Sequence, residues 1–91
     1  MDSLPKDILE LQNEYNQEVE KLSRVLVKQF DIRVDLALLR ILFRESEDNF
    51  PELELNIFEQ ELAYIELEKV DREIIQFSRN LELMNLKLDT Y

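Results

Sequence analysis

Ninety-one residues with 21 acids, 11 bases and no Cys, His or Gly exclude disulfides, thiolate or imidazole metal sites, and glycine loops that cradle phosphate. A net charge of −10 argues against direct binding to nucleic acid or an anionic membrane, since both need clustered Lys and Arg. The length allows one domain with a small core, so stability is expected to come from oligomerisation or from a partner.

The first residues, MDSLPKD, carry two acids and no apolar segment, unlike a signal peptide. Ser3 suits an N-cap and Pro5 a first helical turn. Apolar residues follow at Leu4, Ile8, Leu11, Tyr15, Leu22 and Val25, with Glu18 as the polar interruption. Alternating spacings of three and four are the coiled-coil pattern, and the helix is expected to run to about residue 29.

The segment FDIRVD, residues 30–35, mixes β-branched residues with two Asp. It predicts a kink, a turn, or the capped start of another helix. Residues 35–47 are apolar on two lines, Leu36, Leu39 and Phe43 on one, Leu38, Ile41 and Leu42 on the other. The longest apolar run is far too short for a membrane span.

EDNFPE, residues 47–52, is the clearest break, with Asp48 or Asn49 able to cap and Pro51 suited to a first turn. The second arm then runs to about Leu88. Residues 52–72 form three heptads, ELELNIF, EQELAYI and ELEKVDR. Leu55, Phe58, Leu62 and Ile65 give one seam, and Leu67, Val70, Ile74, Phe77, Leu81, Met84 and Leu88 a second.

Folding the arms so that residue i faces residue 99 − i pairs Val25 with Ile74, Leu22 with Phe77, Tyr15 with Met84, Leu11 with Leu88 and Ile8 with Tyr91. Glu18 then meets Leu81, a mismatch, and Ile32 meets the change of seam at Leu67. Arg40 falls opposite Glu59 and Arg33 opposite Glu66. The expected fold is all-α: an elongated antiparallel helical hairpin or coiled coil, bent near residues 30–35. Arm one spans 3–47, the turn 48–51 and arm two 52–88; three helices, with a full turn at 30–35, are the alternative.

Each heptad begins Glu-x-Glu. Residues two apart on a helix point about 200° apart, and residues seven apart lie roughly 10 Å along the axis. Neither spacing converges two carboxylates on a metal at ligand distances of ~2 Å. The glutamates instead flank a seam, Glu52, Glu59 and Glu66 on one side, Glu54, Glu61 and Glu68 on the other. Pairs three or four apart, Glu68 with Asp71 and Glu14 with Glu18, are ordinary in so acidic a chain, and no phosphate-binding group accompanies them. The chain is read as non-catalytic, with no cofactor and no metal.

A surplus of apolar residues remains. Leu53, Ile57, Tyr64, Ile75 and Leu86 lie away from the second-arm seams, and Leu36, Leu39 and Phe43 form another face; these eight are the candidates for contact with a partner. Glu54, Glu61 and Glu68 are the candidates for charge selection. Residues 45–73 hold eleven acids against two bases. The expected function is an interaction subunit, packing against helices of other, partly basic protein subunits in a larger assembly. An acidic decoy or chaperone for a basic protein and a symmetric homodimeric four-helix scaffold are the alternatives. The expected location is intracellular, cytoplasmic or nuclear. In composition and heptads the chain is broadly similar to small coiled-coil subunits of cytoskeletal, kinetochore or tethering complexes.

Overall fold

The computed structural model of the protein describes residues 6–90; the expected features at Ser3, Leu4, Pro5 and Tyr91 lie outside them. Two helices, α1 (Lys6–Glu45) and α2 (Phe50–Asp89), of 40 residues each, run antiparallel as one hairpin. A helix of this length spans about 60 Å. The molecule measures 73 × 19 × 14 Å, two helices wide and little more than one helix long. No strand occurs among the described residues.

Leu, Glu, Gln, Lys and Arg, all strong helix formers, dominate both arms, and nothing inside either arm breaks a helix. Residues 46–49 connect them. Ser46 donates its amide to the Leu42 carbonyl at 3.0 Å and Asn49 to the Ser46 carbonyl at 2.9 Å. No described residue has a positive φ, so this turn closes without glycine. Asn49 is extended, at φ −121 and ψ 92, and its side chain accepts from the Glu52 amide. The helix begins at Phe50, two residues earlier than expected. Pro51 occupies the first turn, where a missing N–H leaves no intrahelical bond unmade.

The inward face of α1 carries Ile8, Leu11, Tyr15, Glu18, Leu22, Val25, Gln29, Ile32, Leu36 and Leu39, all buried or half-buried, at spacings that alternate three and four without interruption. The expected break at 30–35 is therefore absent, and there are two helices rather than three. Helix propensity falls only slightly at β-branched residues. Ile32 also lies on the buried line, while Asp31, Arg33 and Asp35 all face outward. Ile32, Leu36 and Val70 are the buried core, with Val25, Ala63, Leu67 and Ile74 packed around them.

The inward face of α2 also differs from the expected one. It runs Leu53, Asn56, Gln60, Ala63, Leu67, Val70, Ile74, Phe77, Leu81, Met84 and Leu88, one heptad series from end to end. The seam does not change at Leu67. Leu55, Phe58, Leu62 and Ile65 are instead 50 to 64% exposed. A helix lying straight along its partner keeps one face inward, and here that face passes through polar Asn56 and Gln60 and small Ala63. Asn56 is buried, and its side-chain N–H donates to the Leu39 carbonyl while its oxygen accepts from Gln60.

The expected register persists to the turn. Hydrogen bonds join Glu18 with Asn80, Gln29 with Asp71, Leu39 with Asn56 and Ser46 with Glu52, each within a few residues of the 99 − i pairing. Glu18 is not left as a mismatch, because its carboxylate accepts from Asn80 across the hairpin and from Lys21 on its own helix, both at 3.4 Å.

Candidate protein interaction surface

Two packed helices cover one stripe on each, so every apolar residue off those stripes remains in solvent. Among the described residues twenty large apolar side chains are exposed, and fifteen of them fall within residues 26–43 and 50–65, the half of the hairpin nearest the turn. On α1 they form an outward line of Val27, Phe30, Val34 and Ile41, with Leu38 beside it. On α2 the outward line is Leu55, Phe58, Leu62 and Ile65. Neither line was singled out by sequence reasoning as a binding face. The α2 line was assigned to the internal seam because its residues are larger than those that pack there.

The eight expected partner contacts divide. Leu36 is 3% exposed and belongs to the hairpin core. Leu39 and Leu53 are half-buried on the internal seam. Phe43 lies at the edge of that seam, with 36% exposure. Ile57, Tyr64, Ile75 and Leu86 all remain exposed. Thus the structure places four of the eight on or at the edge of the internal seam and leaves four available to other molecules.

The charged edges follow from the corrected seam. In an antiparallel pair the two flanks of each helix meet different flanks of the other. Glu66 accordingly pairs with Lys28, at 3.4 Å, not with Arg33. Arg40 donates to the Tyr64 hydroxyl and lies 5.8 Å from its ring centroid, not beside Glu59. Such exposed contacts contribute about 0–1 kcal/mol each and chiefly set the register.

Glu54, Glu61 and Glu68 are all exposed on α2. Glu68 is held by Arg72 one turn on, at 2.6 Å, whereas Glu54 and Glu61 have no ion-pair partner among the described residues. Near the turn, Leu39, Leu42, Ser46, Glu52, Leu55, Asn56 and Glu59 line an open cleft between the helices. Its lining combines three leucines with two glutamates around the buried Asn56.

Among the described residues no group of three acids is placed to hold a metal ion. No helix among the described residues is long and apolar enough to cross a membrane. Comparison with protein-family models, with curated proteins and with solved structures finds no match to this chain.

Proposed function

We propose that the protein is a non-catalytic interaction subunit, a helical hairpin that packs against helices of other protein subunits in an intracellular assembly. The observation that carries this reading is the crowding of exposed apolar side chains into the half of the hairpin nearest the turn. Apolar lines exposed in this way on both helices mark interaction surfaces. The half nearest the chain ends has fewer such residues and serves as a two-helix arm.

A photo-crosslinking residue placed at Ile41 or at Leu62 in the full chain, in its native cell, tests the reading. Discrete adducts with other proteins are expected at both positions, and none from Glu10, far from the turn. Self-adducts alone would overturn it in favour of a symmetric four-helix scaffold, the second reading, which the outward apolar lines on both helices also favour.

A further inference from the structure

The hairpin closes on the poorer of two heptad seams carried by α2. Inward, the turn-proximal stretch offers Leu53, Asn56, Gln60 and Ala63; outward, it offers Leu55, Phe58, Leu62 and Ile65, at the same three-four-three spacing and with only large apolar side chains. Packing of α1 leaves the richer seam free. Resting on the interaction reading above, we propose that this outward face of α2, between Glu52 and Glu68, docks one helix of another protein, whose apolar heptads are flanked by lysine or arginine.

Charge identifies the occupant. Glu52, Glu59 and Glu66 line one edge of the outward seam, and Glu54, Glu61 and Glu68 line the other. A docking helix therefore meets acids on both flanks, in whichever direction it runs. Cations there form pairs and acids repel, so the edges select a basic helix and reject acidic ones. Glu66 and Glu68 already have cations within the hairpin, which leaves Glu52, Glu54, Glu59 and Glu61 as the selective positions.

The footprint is bounded as well. From Leu55 to Ile65 the seam is about 15 Å long. The same line then continues to Lys69 and Arg72, where a basic helix is repelled. The site thus takes about two heptads of its partner.

A second copy of this chain fits poorly. Setting α2 on α2 apposes glutamates in parallel and antiparallel orientations alike. The outward line of α1 has Asp31 along one edge and Arg33 and Arg44 along the other, so its arginines can face only one glutamate row while its acids meet the other. Joining the outward face of α1 to the outward face of α2 would also leave both faces unfilled at the ends, giving an open chain of molecules in place of a closed pair.

The test uses the full chain and two synthetic three-heptad peptides with Leu at the seam positions, one flanked by Lys and one by Glu, with binding read by fluorescence anisotropy. The Lys-flanked peptide is expected to bind at least about tenfold more tightly than its twin. Leu62→Asp and the pair Glu54→Lys/Glu61→Lys should each weaken binding by about tenfold with circular dichroism unchanged. Glu10→Lys/Glu14→Lys, an equal change of net charge far from the site, should leave affinity within about twofold. Equal weakening by that distant pair, equal binding of the two peptides, or no binding of the Lys-flanked peptide overturns the proposal. Should Val34→Asp on α1 abolish binding while Leu62→Asp does not, the α2 site falls and the interaction reading stands. Only self-adducts in the crosslinking experiment would remove both.

Discussion

The side-chain amide of Asn56 donates to the main-chain carbonyl of Leu39 across the hairpin, at 2.8 Å. Gln60, one turn further on, donates in turn to the Asn56 oxygen at 2.6 Å. A polar side chain at a seam position costs stability relative to an apolar one but fixes which residues face each other, because a slipped register leaves it unpaired.

Asn56→Ala should therefore lower stability by about 1–2 kcal/mol, since Gln60 loses its acceptor and the seam loses contacts. Asn56→Leu should match or exceed the native stability while admitting slipped pairings. Urea unfolding followed by circular dichroism measures the first effect; extra amide resonances from residues near the turn report the second.

Leu36 and Leu62 separate the two surfaces. Leu36 is 3% exposed and Leu62 is 50% exposed. Replacing Leu36 by Ala should cost about 2 kcal/mol or more, the usual range for emptying a core site. Leu62→Ala should change the stability of the isolated chain by less than about 0.5 kcal/mol, with its effect confined to partner binding. Unfolding curves of the two variants, compared side by side, decide this.

The start of α2 depends on Asn49, whose side-chain oxygen accepts from the Glu52 amide at 3.3 Å. Asn49→Ala should cost about 1 kcal/mol, whereas Asn49→Asp should be nearly neutral, because aspartate caps equally well. Thermal unfolding of both variants checks the assignment. An equal loss in both would place the start of α2 elsewhere.

Hydrogen exchange should be slowest around Ile32, Leu36 and Val70, the buried residues, and should quicken towards Lys6 and Asp89, where the helices end with little cover. Uniform protection along both helices would mean that the hairpin is covered over its whole length by another copy.

The hairpin, its direction and its register were legible in the sequence because half of each seam is written in large apolar residues: Ile8 to Val25 on α1 and Leu67 to Leu88 on α2. The turn-proximal half was misread for one physical reason. There the strongest apolar heptad, Leu55 to Ile65, faces outward, and the inward line passes through Asn56, Gln60 and Ala63. Extending the Leu67–Leu88 series backwards at three and four reaches those residues, and that continuity was the available signal. The apparent break at FDIRVD has a similar origin. Its β-branched residues and two Asp suggest a kink, a turn or a capped helix start, yet Ile32 and Leu36 continue the series begun at Ile8. Among candidate contacts, Ile57, Tyr64, Ile75 and Leu86 were recognised as surplus, whereas Leu36 looked surplus only because a break was assumed beside it.

Sedimentation equilibrium of the purified full chain, with circular dichroism at the same concentrations, tests most directly whether the outward apolar faces are meant for another protein. A helical chain with no fixed homo-oligomer is expected, its mass drifting upward with concentration and settling to one value when the Lys-flanked peptide is added. A dimer whose mass and helicity hold constant over a hundredfold dilution would contradict it, because the outward faces would then be satisfying each other.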